Sequence, residues 1–311
     1  MTRILITGGN GLIGSHLAER LLHIGYQVHL VDRVFSRNSN AIDCPKTKCD
    51  LTDYNSFEGI PTNHEIIFHA AAVSRVAWGE ADPPKLFKVN VVGGLNLIQW
   101  VLNASANSHV IFASSREVYG EPRDVPVIES HPKNPLSAYG ISKLAMEQLL
   151  IHFGQVANLR FTITRFSNVY GSTRDLPVRV IPKFVAKALK NEPIILNGGN
   201  QILDFTHVQD TVDGLVSLVK KVDDRDPGVQ RNDFHFTTNI GCSISELASI
   251  VKRITGSRSR VVFKGANQYD VQRFIGDYSK AKMHLGYVPR VELKKGLKSY
   301  IEEVMAQANR A

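Results

Sequence analysis

The sequence contains little cysteine and no long hydrophobic segment. Its 311 residues include only Cys44, Cys49 and Cys242, which are too few and too scattered for a disulfide framework. No group of cysteines and histidines has the spacing of a zinc site, and no apolar run approaches the roughly 18 to 20 residues that span a bilayer. The short apolar stretch at the N-terminus runs directly into glycines, unlike a signal peptide. These absences favour a cytoplasmic protein that has no metal site and does not associate with a membrane.

Strong clustering of charge is also missing. The chain carries 37 lysines and arginines against 29 acidic residues, a formal net charge of +8 at pH 7. However, the longest basic tracts are the pairs Lys220-Lys221 and Lys294-Lys295, and no aromatic residues are interleaved with them. Nucleic-acid binding is therefore not expected. An anionic small molecule, such as a phosphorylated substrate, explains the positive charge equally well.

Apolar segments of strand length alternate with segments of helical period in the first half of the chain. Arg3–Thr7 and Tyr26–Asp32 are rich in β-forming residues and enclose a glycine turn and a predicted helix at Ser15–Leu22. Further strands and helices are predicted at Glu65–His69, near 84–104, at His109–Ala113, near 138–153 and at Phe161–Phe166. Strands that alternate with helices predict the α/β class with a doubly wound parallel sheet.

The pattern changes after about residue 172, where proline and glycine become frequent and the apolar segments become short. Predicted helices remain near 181–191, 243–255 and 293–307. We therefore predict two domains. The sheet domain covers residues 1–171, with returning segments at about 202–220 and 234–240, and a smaller α+β substrate-binding domain takes up most of residues 172–311.

The glycine turn between the first strand and the first helix has the composition of a phosphate-binding loop. Gly8, Gly11 and Gly14 let backbone N–H groups approach a pyrophosphate, whose charge the N-terminus of the helix favours. Asp32 closes the next strand 18 positions after Gly14, where a carboxylate accepts hydrogen bonds from the adenosine ribose and repels a 2′-phosphate. The cofactor is therefore predicted to be NAD rather than NADP, although the neighbouring Arg33 could soften that discrimination.

A tyrosine and a lysine are four positions apart in the predicted helix near 138–153. Tyr139 and Lys143 therefore share one helix face, and an ammonium near a phenol lowers the pKa of that phenol. Such a phenol takes a proton from a substrate hydroxyl while hydride leaves the carbon. The serine-rich turn that contains Ser114 and Ser115 follows a predicted strand at the carboxyl edge of the sheet. The Ser115 hydroxyl is placed there to hold the reacting oxygen beside Tyr139.

These residues resemble the extended short-chain dehydrogenase/reductases, the family of NAD-dependent nucleotide-sugar epimerases and dehydratases. The resemblance covers essentially the whole chain and includes further motifs at Asp50-Leu51, His69–Ala72, Asn90, Arg165–Gly171, Asp204–Val208 and Gly276–Lys282. It implies a Rossmann fold, bound NAD, a nucleotide-sugar substrate and a homodimer formed through the helices near 84–104 and 138–153. It also implies a mechanism in which Tyr139 removes the C4 hydroxyl proton, hydride passes from C4 to NAD, and a transient 4-keto sugar forms.

The residue patterns and the resemblance together assign roles to particular side chains. The predicted catalytic residues are Ser115, Tyr139, Lys143 and Glu117. The predicted cofactor-binding residues are Gly8, Gly11, Leu12, Ile13, Gly14, Asp32, Arg33, Asp50, Leu51, Ala70, Ala71, Ala72, Asn90, Ser114, Tyr139, Lys143 and Phe166. The predicted substrate-binding residues are Ser74, Ser115, Arg116, Asn168, Arg179 and Arg273.

Two neighbouring residues bear on the outcome of the reaction. Glu117 stands where dehydratases and decarboxylases of the family carry a glutamate, and a carboxylate beside a C4 ketone is suited to remove the C5 proton. Arg116 stands where several dehydratases have an aspartic acid that protonates the leaving 6-hydroxyl, and arginine does not fill that role because it keeps its proton. The alternative interpretation of Glu117 is a surface charge or an ion pair with Arg116.

The sequence departs from the family where the substrate diphosphate is commonly held. Leu203 and Asn267 stand where family members commonly have two arginines. Arg179 and Arg273 are predicted to compensate for them. The substrate could therefore be an atypical nucleotide sugar or a compound that is not a nucleotide sugar. The resemblance narrowly favours 4,6-dehydration because of Glu117. Three alternatives stay open: a C4-epimerase of the UDP-glucose 4-epimerase type, a 4-keto sugar reductase or dehydrogenase, and a non-catalytic NAD-bound binding or regulatory protein.

Overall fold

The structure, a computed structural model, describes residues 1–105 and 107–309. Its strands are β1 (Arg3–Thr7), β2 (Gln27–Asp32), β3 (Lys46–Lys48), β4 (Ile66–His69), β5 (His109–Ser115), β6 (Arg160–Phe166), β7 (Asn168–Tyr170), β8 (Ile194–Asn197), β9 (Ile202–His207), β10 (Asn232–Phe236), β11 (Gly241–Ser243), β12 (Val261–Lys264) and β13 (Arg273–Phe274). Its helices are α1 (Leu12–His23), α2 (Arg37–Asn40), α3 (Val76–Ala81), α4 (Pro83–Phe87), α5 (Gly93–Ala104), α6 (Ala138–Val156), α7 (Val180–Leu189), α8 (Val208–Asp223), α9 (Ile244–Thr255), α10 (Ser279–Leu285) and α11 (Leu293–Ala308). No helix in the described part of the chain is both long and apolar enough to cross a membrane.

Seven parallel strands form the main sheet, in the order β10-β6-β5-β4-β1-β2-β3. The chain builds outward from β1 in both directions, first through β2 and β3 and then through β4, β5 and β6. The strand order therefore reverses between β1 and β4, and a crevice opens at the carboxyl ends of these strands, where folds of this class bind ligands. The predicted doubly wound α/β sheet of Rossmann type is confirmed.

The main sheet is buried on both faces, as its apolar strands predict. Successive residues of β1 point to opposite sides. Ile4 and Ile6 belong to one apolar cluster with Leu17 of α1 and with residues of α8. Leu5 belongs to a second cluster with Leu97 of α5 and with residues of α6. Helices on both faces thus hold the ends of the strands, and the loops that follow them, in fixed positions.

The second half of the chain builds smaller sheets and also returns to the main one. The strands β7, β9, β11 and β13 form a four-stranded sheet, and β8 pairs with β12. β10 pairs in parallel with β6, from Asn232 opposite Thr162 to Phe236 opposite Phe166. The segments at about 202–220 and 234–240 are predicted to return to the sheet domain. The first begins with β9, which lies in the four-stranded sheet, whereas the second overlaps β10, which lies at the edge of the main sheet. The domain division stays a prediction, and its last two residues, 310–311, lie outside the described residues.

Two predicted element boundaries need correction. The helix near 84–104 is divided into α4 and α5 by a π-helical turn at Lys88–Val92, which contains Asn90. Ser114 and Ser115 are the last residues of β5 rather than part of a turn, because they continue the parallel register opposite Arg165 and Phe166 of β6. The turn that follows is a short 3₁₀ helix over Arg116–Tyr119.

Candidate active site

The glycine turn after β1 is packed so closely that two of its positions admit no side chain. Gly8 has a φ of +74°, and a Cβ atom there would lie 2.7 Å from the backbone of Ala70 and Ala71. A Cβ atom on Gly14 would lie 2.4 Å from the carbonyl oxygen of Gly8. Gly11 caps α1 without a side-chain hydrogen bond, so the first N–H groups of this helix have no capping side chain. This turn fits a pyrophosphate, because a helix N-terminus favours negative charge.

Two carboxylates lie at the edge of the sheet beyond this turn. The carboxylate of Asp32 accepts hydrogen bonds from the backbone N–H of Asn10 (3.0 Å) and of Val34 (3.3 Å), which fix its orientation at the end of β2. Asp50 accepts hydrogen bonds from the backbone N–H and the hydroxyl of Thr52, and the backbone bond is the main reason why the pKa of Asp50 is lowered. The lowered pKa keeps the Asp50 carboxylate ionised, as an acceptor for ribose or adenine groups must be.

Asn90 lies behind the loop that follows β4 rather than in the open crevice. Its side-chain oxygen accepts a hydrogen bond from the Val73 backbone N–H at 2.7 Å, and its side-chain nitrogen donates to the Val73 carbonyl and to the Ser142 hydroxyl. The side chain is buried. Asn90 therefore joins this loop to α6, and a direct contact with the cofactor stays a prediction.

A cavity of about 560 Å³ opens at the carboxyl edge of the main sheet. This volume is typical of a small-molecule site. The predicted site residues that line it are Gly8, Gly11, Leu12, Ile13, Gly14, Ala70, Ala72, Ser74, Ser114, Ser115, Arg116, Glu117, Tyr139, Lys143, Phe166, Asn168 and Arg179. The predicted site residues that do not line it are Asp32, Arg33, Asp50, Leu51, Ala71, Asn90 and Arg273. The structure thus brings the glycine turn and the predicted catalytic residues to one cavity.

The first turn of α6 carries the predicted proton-transfer residue. The Ser137 hydroxyl accepts a hydrogen bond from the Gly140 backbone N–H at 3.1 Å and so caps the helix just before Tyr139. Burial raises the pKa of Tyr139 to about 12, and the Arg179 guanidinium and a hydrogen bond with Ser115 oppose this rise. Ser115 therefore lies beside Tyr139, and that its hydroxyl holds the reacting oxygen there stays a prediction.

Lys143 lies one helical turn beyond Tyr139 and is fully enclosed. Its ammonium donates a hydrogen bond of 2.7 Å to the carbonyl oxygen of Ala113 and lies 5.8 Å from the centre of the Tyr139 ring. Burial lowers the pKa of Lys143 to about 7, and the nearby carboxylate of Glu147 opposes that shift. That Lys143 lowers the pKa of Tyr139 stays a prediction, since the cations that lower it in the structure are Arg179 and Arg116.

Glu147 is a residue of this site that the sequence interpretation missed. Its carboxylate accepts hydrogen bonds from the Ser114 hydroxyl (2.6 Å) and from the Arg165 guanidinium (2.8 Å twice), all of them buried. Arg165 also pairs with Asp233 of β10 at 2.8 Å. The sequence feature that could have indicated Glu147 is its spacing, because it follows Lys143 by four positions and lies on the same helix face. The Ser114 hydroxyl thus faces Glu147, and its predicted contact with the cofactor stays a prediction.

Replacing Glu147 by glutamine is expected to move the loss of activity at high pH toward lower pH. Without the Glu147 carboxylate, the pKa of Lys143 falls below about 7, so less of the cation remains at neutral pH. A shift of about one pH unit in the falling limb of kcat is expected from the loss of one buried charge. Asp233→Asn is the matched control, because it removes another acidic partner of Arg165. Equal pH profiles for the two variants would contradict this role of Glu147.

Arg116 and Glu117 form a buried ion pair in the cavity wall. The Nη2 atom of Arg116 lies 2.7 Å from Oε1 of Glu117, and the two side chains are only 10% and 9% exposed. The Arg116 guanidinium also lies 5.6 Å from the centre of the Phe274 ring. From the sequence, Glu117 is interpreted either as a base for the C5 proton or as a surface charge or ion pair with Arg116. The structure shows the ion pair, and this pair is buried.

The second half of the chain provides the opposite wall of the cavity. Leu203 and Asn267 line it, and so do the cationic residues Arg179 and Lys183. The Arg179 guanidinium contacts the backbone and hydroxyl oxygens of Ser74 at 3.4 Å. Arg273 is exposed in β13, and its backbone N–H donates a hydrogen bond to the Glu121 carboxylate. Arg179 is therefore positioned to contact a ligand, whereas Arg273 lies outside the cavity.

Comparison with known proteins agrees with this geometry. The model of the NAD-dependent epimerase/dehydratase family matches residues 4–235. The chain belongs to this family. The predicted resemblance to extended short-chain dehydrogenase/reductases is confirmed, and the cofactor of this family is NAD.

The relatives of this epimerase/dehydratase family member are named for different activities. The chain is 33% identical to a putative UDP-glucose 4-epimerase of Methanocaldococcus jannaschii, over 96% of this chain and 97% of that protein. It is 30% identical to UDP-glucuronic acid decarboxylase 1 of Danio rerio, over 99% of this chain and 74% of that protein. A crystal structure of Thermotoga maritima UDP-glucose 4-epimerase with UDP-glucose aligns with a TM-score of 0.91 at 31% identity, covering 99% of this chain and 100% of that one.

Proposed function

We propose that this family member is a nucleotide-sugar 4-epimerase that works through a transient ketone at C4. The observation that carries this proposal is the buried pair of Arg116 and Glu117 at 2.7 Å. The Arg116 guanidinium occupies the Oε1 atom of Glu117, so this oxygen is engaged in an ion pair instead of facing a C5 proton. The same arginine stands where dehydration would need an acid for the leaving hydroxyl, and arginine does not release its proton. Epimerisation at C4 needs neither group.

The residues around the cavity supply the proton transfers of this reaction. When bound, NAD supplies the oxidation at C4 and its reversal. Tyr139 accepts the proton of the C4 hydroxyl and returns it after the sugar has presented its other face. The Ser115 hydroxyl, beside Tyr139, holds the C4 oxygen. The Arg179 guanidinium favours the phenolate form of Tyr139, and the Lys143 ammonium, 5.8 Å from the centre of the Tyr139 ring, adds to this effect.

The second candidate function is 4,6-dehydration, which the sequence alone narrowly favours. The observation on its side is that Glu117 lines the cavity. If a substrate group drew Arg116 away, the Glu117 carboxylate would be available to remove the C5 proton. Dehydration would still lack an acid that protonates the departing 6-hydroxyl, because Arg116 keeps its proton.

Product analysis by proton NMR in deuterated water tests these alternatives with UDP-, GDP-, dTDP- and CDP-linked sugars. Inversion at C4 without solvent deuterium is the expected result. Deuterium at C5 together with a new C6 methyl group would establish dehydration instead. Net formation of NADH or consumption of a 4-keto sugar would establish the dehydrogenase or reductase alternative. No turnover on any sugar would favour the non-catalytic binding protein.

We also propose that two copies of the chain form a homodimer through the helices near 84–104, which are α4, the π-helical turn and α5, and near 138–153, which is α6. The observation that supports this is the group of exposed apolar residues on this part of the structure, Val92, Ile141 and Ile151. Light scattering on the purified protein checks the proposal, and the mass of a single chain would contradict it.

A further inference from the structure

Arg116 is a buried cation with part of its hydrogen-bonding capacity unused. Its side chain is only 10% exposed, and one end of the guanidinium pairs with Glu117 through Nη2. The other terminal nitrogen, Nη1, is shielded from water and has no hydrogen-bond partner among the described residues. A buried, charged N–H group without a partner is unfavourable, so such groups in native structures generally have a ligand or a function.

The location of Arg116 shows which part of a sugar it can reach. Arg116 lines the cavity and directly follows Ser115, and its charge is close enough to Tyr139 to lower the pKa of the phenol. A substrate with its C4 hydroxyl at Tyr139 and Ser115 therefore has its neighbouring substituents near Arg116. The diphosphate is attached at C1, across the six-membered ring from C4, and so extends away from Arg116. The substituent close to C4 that can carry a negative charge is the carboxylate at C6 of a uronic acid.

We propose that Arg116 binds the C6 carboxylate of the sugar, so that the preferred substrate is a nucleotide-linked hexuronic acid. This inference rests on the proposed 4-epimerase function. Glu117 holds Nη2, and a small rotation of the guanidinium turns Nη1 toward the cavity, where it donates to the substrate carboxylate. Arginine suits this role because its planar group can pair with two carboxylates at once through different nitrogens. Glu117 is then a positioning residue for Arg116 rather than the base at C5.

The ionisable side chains of the cavity wall carry more positive than negative charge, which favours an anionic substrate. Its cationic residues are Arg75, Arg116, Lys143, Arg179 and Lys183, and its carboxylates are Glu117, Asp175 and Asp270. Asp175 pairs with Arg179 at 3.4 Å, and Asp270 accepts hydrogen bonds from Asn267. A diphosphate supplies two negative charges and the uronic acid carboxylate a third.

The same contact favours epimerisation over loss of carbon dioxide. In a 4-keto uronic acid the carboxylate is attached to the carbon next to the ketone. If the bond between C5 and C6 breaks, its electron pair moves to C5 and the ketone, and the carboxylate leaves as neutral carbon dioxide. A guanidinium that binds the carboxylate stabilises its negative charge, and this stabilisation is lost as carbon dioxide forms. The expected product is therefore a C4-inverted uronic acid that keeps its carboxylate.

Steady-state kinetics with a matched pair of substrates tests the inference. The pair shares the nucleotide that the panel above identifies; for uridine, the substrates are UDP-glucuronic acid and UDP-glucose. The wild-type protein is expected to show a kcat/KM roughly 100-fold higher for the uronic acid, which corresponds to the value of a buried, hydrogen-bonded charge pair. Arg116→Met is expected to abolish most of this preference, chiefly by raising KM for the uronic acid.

A second variant separates binding from stability. Arg116→Met alone leaves Glu117 unpaired, so the double variant Arg116→Met/Glu117→Gln removes both charges together. Loss of the uronic acid preference in both variants supports the inference. Retention of the preference in the folded double variant, or faster turnover of UDP-glucose by the wild-type protein, overturns it and leaves the 4-epimerase proposal intact. Turnover of neither sugar of the pair also overturns the inference. C4 inversion of no sugar in the panel, or release of carbon dioxide as the main reaction, overturns the 4-epimerase proposal itself.

Discussion

Tyr139→Phe is expected to lower kcat by about 1000-fold, within the range for loss of a general acid or base. The variant removes one hydroxyl from a buried ring and leaves the shape of the α6 N-terminus unchanged. Without that hydroxyl, the proton of the substrate C4 hydroxyl has no acceptor, because the Lys143 ammonium donates to the Ala113 carbonyl. Steady-state kinetics at saturating substrate measures the loss. The NAD content of the purified variant is expected to stay close to the wild-type level, since the glycine turn is untouched and only one hydroxyl of the predicted cofactor-binding residues is lost.

Tyr54→Phe is the matched control for this variant. Tyr54 is 40% exposed, and its hydroxyl accepts a hydrogen bond from the side chain of Asn103 outside the candidate active site. Its replacement is expected to leave kcat unchanged. If Tyr139→Phe also kept wild-type turnover, Tyr139 would not be the proton-transfer residue. A biological effect of the protein that survived Tyr139→Phe without turnover would favour the binding or regulatory alternative.

Gly14→Ala is expected to weaken NAD binding by roughly 10- to 100-fold, the effect of overpacking a close-packed site. The added methyl group would lie 2.4 Å from the Gly8 carbonyl oxygen and 3.2 Å from the Gly9 Cα atom, so the turn must move. This movement displaces the N–H groups that face a pyrophosphate at the start of α1. Isothermal titration of NAD into cofactor-depleted protein measures the affinity, and circular dichroism verifies that the variant is folded.

The chain offers a control glycine for this experiment. A Cβ atom on Gly265 would meet nothing within 4 Å, and this glycine does not have a positive φ. Gly265→Ala is therefore expected to bind NAD as the wild-type protein does. Unchanged affinity in Gly14→Ala would show that the turn adapts to a side chain, and the close contact with Gly8 would then not explain the glycine.

The parts of the fold that depend on local patterns were predictable from the sequence. The glycine turn, the acid at Asp32 and the one-turn spacing of Tyr139 and Lys143 are features of short segments. Because helices cover both faces of a parallel sheet, the strands are continuously apolar and easy to find. The end of β5 was misplaced because Ser114 and Ser115 have turn-like side chains, while their strand conformation is imposed by pairing with β6.

The parts of the site that depend on distant contacts were not predictable in the same way. Glu147 meets Arg165 across 18 positions, and Arg165 meets Asp233 across 68. No local pattern indicates these pairs, since they arise only when β6, β10 and α6 pack together. The positions of Arg179 and Arg273 also depend on how the second half of the chain folds over the sheet. The sequence shows two candidate cations there, and packing decides which of them reaches the cavity.

The path of the chain through the main sheet limits how this protein could be recombined with its relatives. α8 packs against α1, and β10 completes the edge of the sheet beside β6, although both come late in the sequence. A hybrid joined at residue 171 would pack the relative's versions of these elements against surfaces shaped by this sequence, and the apolar side chains at these contacts would no longer match. Exchanges intended to import another sugar specificity should therefore keep the stretch 208–236 with the first half. They should replace only the segments on either side of it.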